Sequence, residues 1–258
     1  MSVTFKNASI KNATISPRIV YDSSLVLVID PANPVSYSNV GIGTTIANNL
    51  IPPQDVFWLK NGAGYDSANG GVFAFDGAND YTESNNSISY SLANGFTLMQ
   101  WVKLNNTLQC GTYQQNDLTV NTNNFINFYF QYFGFGTKLR WEVHSGNSMY
   151  SSADVLPNTW TLLTGTMSTL STPYTVVGSD TYGIGTAKIY LNGVSNGSPT
   201  SLAASPSITT NIILGAYKNS ISSQYSNSSI GQTLFYTREL SATEVLQNYN
   251  ALKFRYGL

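Results

Sequence analysis

The stretch "GFTLMQWVKL", residues 95–104, decides the fold. Successive side chains of an extended strand point to opposite faces of its sheet. Here both sets contain large apolar groups, with Phe96, Leu98, Gln100, Val102 and Leu104 on one side and Thr97, Met99, Trp101 and Lys103 on the other. A strand covered on both faces is typical of the middle of a β-sandwich.

Similar segments recur along the chain between clusters of Gly, Pro, Asn and Ser, which are typical of turns. Together they predict at least nine strands, and the ten candidate segments are "SLVLVID" (24–30), "QDVFWLK" (54–60), "GVFAFDG" (71–77), the opening stretch (95–104), "FINFYFQYF" (125–133), "KLRWEVH" (138–144), "TWTLLTGTM" (159–167), "AKIYLNG" (187–193), "IILGAY" (212–217) and "GQTLFYT" (231–237). The continuous apolar run at 24–30 also suits a strand covered on both faces.

Local signals define one hairpin and one helix. Asn192-Gly193 tolerates the positive φ angles of a type I′ turn. The only convincing helix begins at "SATEVLQ", where Ser241 and Glu244 have capping-box spacing. Its apolar residues share one face: Leu240, Val245, Tyr249 and Leu252. We therefore predict an all-β, antiparallel β-sandwich with one C-terminal helix.

The composition supports this fold class and excludes several functions. Charged residues make up 10% of the 258 residues, against about 25% in ordinary soluble domains. The net charge of −1 gives no positive field for nucleic acid. No apolar run is long enough to insert into a membrane. The N-terminal residues lack the apolar core of a signal peptide and the single cysteine cannot form an internal disulfide, so we expect folding in a reducing cytoplasm.

Residues 1–20 form a basic N-terminal arm in this interpretation, followed by a single domain at 21–258. The arm contains Lys6, Lys11 and Arg18 and no acidic residue, since the first acid is Asp22. A frayed terminus and an arm that docks on an acidic partner surface both fit this pattern.

Asp76 and Asp80 are the most conspicuous carboxylates. They flank Gly77 in "GVFAFDGANDYTE", residues 71–83. Short Asp side chains commonly accept hydrogen bonds from the backbone of their own turn, and we expect this role here. Calcium binding with nearby carbonyl oxygens is the alternative. Otherwise we expect no metal and no cofactor.

The sequence offers no catalytic residue. Retaining glycosidases use two carboxyl groups about 5 to 5.5 Å apart, and no predicted strand carries such a pair. His144 is the only histidine, and we expect it to be a structural strand residue with satisfied hydrogen bonds. Cys110 is expected to be a buried apolar residue. The Gly-x-Gly-Thr segments at 41–44, 134–137 and 183–186 lack the rest of a phosphate-binding motif and are predicted to be turns.

An ordered set of motifs resembles a known family. These motifs are "FDGANDY" (75–81), "FTLMQWVKL" (96–104), "TWTLLTGTM" (159–167), "KIYLNG" (188–193) and "SIGQTLFYTRELSATEVLQNYNALKFRYG" (229–257). Together they resemble the laminin-G-like branch of the concanavalin A-like lectin/glucanase superfamily, over roughly residues 21–258. "LVLVIDPANPVSY" (25–37) and "SANGGVFAFDGANDY" (67–81) further resemble the version found in structural proteins of tailed bacteriophages.

The resemblance implies a jelly roll whose terminal helix packs against the sandwich. Some relatives bind sugars or proteins through rim loops, sometimes with calcium. The hydrolase branch carries a Glu-x-Asp-x-x-Glu strand, which this sequence lacks. The Phe-Asp-Gly-x-x-Asp-Tyr segment joins two strands in relatives, in agreement with a turn role for Asp76 and Asp80.

Three functions remain in competition. The leading hypothesis is a non-catalytic virion structural protein of a bacteriophage, a homo-oligomer displayed on capsid or tail, that decorates the shell or binds host-surface glycans. Its partners would be other virion proteins, and its location the virion, assembled in the host cytoplasm. The alternative is a cellular carbohydrate-binding module or lectin. A glycoside hydrolase with an unusual site is the third. The sequence identifies no ligand-binding residue, although 17 tyrosines and four tryptophans could stack on sugars.

Replacing Asp80 tests the turn interpretation. Asp80→Ala should lower the free energy of unfolding by about 1 kcal/mol, the usual size of one lost hydrogen bond. Urea unfolding measures this change. If calcium raised the melting temperature of the wild type but not of the variant, the pair would be a metal site instead.

Overall fold

The computed structural model describes residues 18–38, 46–107, 110–116, 125–133, 136–144, 147–177, 180–218 and 223–258. Their strands, in chain order, are β1 Leu25–Ile29, β2 Ile46–Asn48, β3 Val56–Lys60, β4 Gly64–Asp66, β5 Val72–Asp76, β6 Tyr81–Ser84, β7 Ile88–Ser91, β8 Phe96–Leu104, β9 Cys110–Asn116, β10 Phe125–Phe133, β11 Gly136–His144, β12 Asn147–Asp154, β13 Trp160–Met167, β14 Thr175–Val177, β15 Asp180–Leu191, β16 Val194–Ser195, β17 Thr200–Ala204, β18 Ser207–Thr210, β19 Ile212–Leu214, β20 Ala216–Lys218, β21 Ser223–Tyr225 and β22 Asn227–Tyr236. The helix α1 is Ala242–Leu252, followed by a 3-10 turn at Lys253–Tyr256.

Two large antiparallel sheets form the predicted jelly-roll sandwich. The first has the order β14-β15-β13-β8-β22-β5-β4, with β1 paired to β22 and with β16 and β17 paired to β15. The second has the order β12-β11-β10-β9-β19-β6-β3-β2. Two further antiparallel strand pairs, β7 with β18 and β20 with β21, lie outside these sheets. A single cluster of buried apolar side chains, drawn from both sheets, fills the space between them.

The central role predicted for residues 95–104 is confirmed. β8 pairs with β13 on one side and β22 on the other. Leu98 and Val102 point into the core between the sheets. Met99 and Trp101 belong to a second apolar cluster on the opposite face, beneath α1. The bulk on both faces of this strand therefore reflects two separate packing layers.

The C-terminal helix begins and packs as predicted. Ser241 and Glu244 form a complete capping box. Val245 is fully buried in the second apolar cluster, together with Leu240. No helix in the described part of the chain is both long and apolar enough to cross a membrane. The predicted hairpin is also confirmed, since Asn192 and Gly193 have φ angles of 53° and 79°.

The end of the predicted N-terminal arm contacts this helix. The carbonyl oxygen of Arg18 accepts a hydrogen bond from Gln247 Nε2 at 2.8 Å. The Val20 amide donates to Asn248 Oδ1 at 2.7 Å. The rest of the arm, residues 1–17 with Lys6 and Lys11, lies outside the described residues.

Two glycine predictions need correction. The segment 183–186 lies inside β15 and is not a turn. A Cβ at Gly185 would lie 2.6 Å from Met167 Sδ, so glycine here serves close packing within the sheet. Conversely, Gly215 has a φ of +82° and divides the predicted strand 212–217 into β19 and β20. The segment 41–44 lies outside the described residues, whereas Gly136 and Thr137 of the segment 134–137 begin β11.

Arg238 links the helix start to the N-terminal side of the domain. Its Nη2 lies 2.6 Å from Glu244 Oε1 and 2.7 Å from Asp22 Oδ2. The hydrogen bond from Arg238, with those from Ser241, lowers the pKa of Glu244 to about 2, although partial burial opposes the shift. The folded protein therefore favours the ionised carboxylate relative to the unfolded chain.

This linkage predicts an acid-sensitive contribution to stability. The stabilisation from Glu244 should be complete above its ordinary pKa of 4.5 and should be lost as the pH falls towards about 2. Glu244→Gln should therefore reduce the fall in unfolding free energy over this pH window, as measured by urea unfolding. Arg238→Gln removes the cause of the shift and should have a similar effect. A wild-type pH dependence in Glu244→Gln would contradict this account.

Candidate functional site

The outer face of the second sheet presents polar and aromatic side chains. In β3, Phe57 and Leu59 enter the core, while Trp58 and Lys60 alternate with them and point away from it. β6 pairs with β3 so that Glu83 lies opposite Trp58 and Tyr81 lies opposite Lys60. Because cross-strand partners share a face, these four side chains form one continuous surface.

The β20–β21 hairpin crosses this face. Gln114 of β9 holds it with two hydrogen bonds, since its Nε2 donates to the Lys218 carbonyl at 2.5 Å and its Oε1 accepts from the Lys218 amide at 2.7 Å. Gly111 allows the close approach, because a Cβ there would lie 2.6 Å from the Tyr217 Cβ. The hairpin thereby places Lys218 Nζ 3.9 Å from the centroid of the Tyr81 ring.

A groove of about 330 Å³ opens beside the hairpin, and we call it the Trp58 groove. It is lined by Trp58, Lys60, Glu83, Ser84, Asn85 and Asn211. The indole Nε1 donates to Asn85 Oδ1 at 3.1 Å, which orients the ring. Asn211 Nδ2 donates to Glu83 Oε1 at 3.4 Å. An oriented aromatic ring beside amide and carboxylate groups is suited to a polyhydroxylated ligand.

A larger groove of about 610 Å³ lies at the start of α1. Its charged groups are already paired with each other or with a neighbour. Lys188 Nζ lies 2.8 Å from Glu239 Oε1, and Glu244 is bound by Arg238. Since these pairs would have to be broken or desolvated by a ligand, this groove is the weaker candidate.

Buried polar residues lie on the far side of the hairpin. Arg140 Nη2 contacts Glu142 Oε1 at 2.5 Å. Burial raises the pKa of Glu142, and the positive charge of Arg140 opposes that shift. Asn127 lies directly across the strand pair from Glu142, but its amide makes no hydrogen bond of standard geometry.

The prediction for His144 is wrong in one respect. The residue is buried at the end of β11, as expected, but neither ring nitrogen has a hydrogen-bond partner within the described residues. Its ring centroid instead lies 5.5 Å from that of Tyr182.

Cys110 is 1% exposed, and burial raises the pKa of its thiol to about 11, which disfavours the reactive thiolate. The buried apolar role of Cys110 is confirmed.

The carboxylates of this face are far apart. Glu83 of β6 and Glu142 of β11 are separated by β19, β9 and β10. Four strand spacings correspond to roughly 19 Å. The two carboxyl groups of a glycosidase lie within about 10 Å of each other, so Glu83 and Glu142 cannot act as such a pair.

Asp76 and Asp80 occupy the predicted turn between β5 and β6. The Ala78 amide donates to Asp76 Oδ1 at 2.7 Å, and the Asp76 amide donates to Asp80 Oδ2 at 3.1 Å. Gly77 has a φ of +81°. Burial raises the pKa of Asp80, with a further contribution from the neighbouring Asp76. The described residues contain no cluster of three or more side chains able to hold a metal ion.

The site residues that matter were not identified from the sequence. The alternation in "VFWLK" places Trp58 and Lys60 on the same face, away from Phe57 and Leu59. The sequence alone could therefore have predicted that Trp58 and Lys60 share an outward-facing surface. By contrast, nothing in the sequence places Lys218 beside Tyr81, because their contact depends on the path of the β20–β21 hairpin.

Solved structures with the same fold support the architecture. One is domain 4 of AbnA, an extracellular arabinanase from Geobacillus stearothermophilus, in complex with arabinotriose; it is 18% identical with a TM-score of 0.55, over 88% of this chain and 98% of that one. Another is the binding domain of Paraclostridial Mosquitocidal Protein 1, at 14% identity and a TM-score of 0.60, over 88% and 52%. A third is a mutant of Trypanosoma rangeli sialidase, at 10% identity and a TM-score of 0.59, over 90% of this chain and 33% of the sialidase. This chain thus spans about half the length of the mosquitocidal protein's binding domain and about a third of the length of the sialidase.

Sequence comparison gives the family. No curated protein shows significant sequence similarity to this chain. The family model described as the concanavalin A-like lectin/glucanases superfamily, of laminin G type, matches residues 76–246. This match covers more than half of the chain and agrees with the two-sheet fold. The chain therefore belongs to the laminin-G-like part of the concanavalin A-like lectin/glucanase superfamily.

Proposed function

We propose that this chain binds carbohydrate and that the Trp58 groove is its binding site. The observation that carries the proposal is the oriented indole of Trp58, which lies beside the Glu83–Asn211 pair on an open sheet face. Aromatic rings pack against the apolar faces of sugars, while nearby polar groups can bind the hydroxyls. The arabinotriose complex of the AbnA domain, which shares the fold, supports the choice of ligand class.

The proposed role is binding without catalysis. The wide separation of Glu83 and Glu142 supports this, because glycoside hydrolysis requires two carboxyl groups close to one bond. The receptor-binding domain of botulinum neurotoxin D has the same fold, at 14% identity and a TM-score of 0.58. A binding role on this fold is therefore consistent with the geometry of the groove.

The finer proposal places the protein on a bacteriophage particle. It would be a virion structural protein on capsid or tail, assembled in the host cytoplasm as a homo-oligomer and binding host-surface glycans. The resemblance of residues 25–37 and 67–81 to structural proteins of tailed phages supports this role. In the same proposal the basic arm, residues 1–20, docks the laminin-G-like domain, residues 21–258, on an acidic surface of the particle. Absence of the chain from purified particles would refute it.

Removing the indole tests the binding site. Trp58→Ala should weaken binding of an oligosaccharide found on a glycan array by at least about tenfold, because the stacking surface is lost. Isothermal titration calorimetry measures this, with melting temperature as the folding check. Tyr21→Ala is the matched control, since Tyr21 is 75% exposed and lies outside the groove. Equal affinity in Trp58→Ala and wild type would reject the Trp58 groove as the site.

A further inference from the structure

Two lysines carry positive charge at and beside the Trp58 groove: Lys60 lines the groove, whereas Lys218 lies on the neighbouring β20–β21 hairpin. Lys60 is the cross-strand partner of Tyr81, and Lys218 Nζ lies 3.9 Å from the Tyr81 ring centroid on the hairpin side. The two lysines therefore flank one tyrosine, although they are 158 residues apart in the chain. Neither ammonium group is paired with a carboxylate among the described residues, where the ion pairs involve other cations.

Both lysines are held beside aromatic rings. Lys60 Nζ lies 5.6 Å from the Trp58 ring centroid, and Lys218 is anchored through its backbone by Gln114. Cation–π contacts orient an ammonium group without neutralising its charge. In a chain with only 12 lysines and arginines, two unneutralised cations on either side of Tyr81, one on β3 and one on the hairpin, create a local positive potential.

Among the described residues that line the groove, Glu83 carries the only carboxylate, and it lies away from the two lysines. Glu83 lies opposite Trp58 and accepts a hydrogen bond from Asn211. It is two residues away from Tyr81 on the same strand, which corresponds to about 7 Å. The groove thus has an acidic end suited to sugar hydroxyls and a basic end suited to an anion.

On this basis we propose that the Trp58 groove is selective for acidic saccharides, with the ring of one sugar on Trp58 and the carboxylate or sulfate of the chain between Lys60 and Lys218. This inference rests on the proposed function and specifies its ligand class. Charge-assisted hydrogen bonds from two ammonium groups give the acidic ligand an interaction that a neutral sugar lacks.

Three oligosaccharides of equal length test the selectivity of the full chain by titration calorimetry: a galacturonide carrying carboxylates, a sulfated galactan fragment and a neutral galactan fragment. At least one acidic ligand should bind about tenfold more tightly than the neutral one. That advantage should shrink as the salt concentration rises from about 20 to about 200 mM, because salt screens exposed charges. The tighter acidic ligand identifies the preferred anion. Equal binding of all three would overturn the proposal.

Variants of the two lysines test whether these residues cause the preference for acidic saccharides. Lys218→Gln should weaken acidic-ligand binding by about five- to tenfold and leave neutral-ligand binding unchanged. Lys60→Gln changes a residue that lines the groove, and it should weaken acidic-ligand binding about five- to tenfold more than neutral-ligand binding. Lys218→Arg should retain the preference, which separates charge from folding of the hairpin. The matched control is Lys103→Gln, because Lys103 Nζ also lies over a tryptophan, 5.7 Å from the Trp160 ring centroid, but belongs to the first sheet. Unchanged acidic binding in both glutamine variants would overturn the proposal.

The two proposals fail in different ways. If the wild type binds the neutral ligand as tightly as the acidic ones and Trp58→Ala abolishes that binding, the groove is a sugar site without charge selectivity. If Trp58→Ala leaves every affinity unchanged, the groove is not the sugar site and both proposals fall.

Discussion

The aromatic stack beneath the C-terminal helix is the interaction on which the functional asymmetry of the sandwich depends. Trp101 of the central strand stacks on Tyr256 with 4.2 Å between ring centroids, and on Tyr249 at 5.8 Å. Trp160 joins them at 4.6 Å from Tyr256. These rings bury the outer face of the first sheet against the helix. On the first sheet, the groove at the start of α1 is left with charged groups that are already paired, whereas the outer face of the second sheet carries the Trp58 groove.

The β20–β21 hairpin then divides that remaining face. The Gln114 side chain offers a donor and an acceptor to the Lys218 backbone, as a neighbouring strand would. These side-chain hydrogen bonds hold the hairpin although it does not join the sheet. Buried amides must be hydrogen-bonded to be tolerated, and this one satisfies its needs by fixing the hairpin. The result is an open groove around Trp58 on one side and, on the other, the pair of half-buried Arg140 and buried Glu142.

Sequence and structure agree best where a local rule decides the backbone conformation. The two-sided bulk of β8, the Asn-Gly hairpin and the capped helix were all predictable, because each follows from a local rule about periodicity or backbone geometry. Strands such as β9, "CGTYQQN", escaped prediction because their alternation is not one of apolar and polar side chains. Gln115 points inward and donates to the Ile88 carbonyl, a role that composition cannot reveal.

By itself, the sequence determined the fold class, the central strand, the helix and the turn role of Asp76. Each depends on residues close together in the chain. Only the tertiary structure decided that β19 lies between β6 and β9, and hence that Trp58, Tyr81 and Lys218 meet on one face. Backbone hydrogen bonds of a sheet do not depend on which strand supplies the partner. Strand order is settled instead by how the whole core packs, and no local pattern encodes that choice.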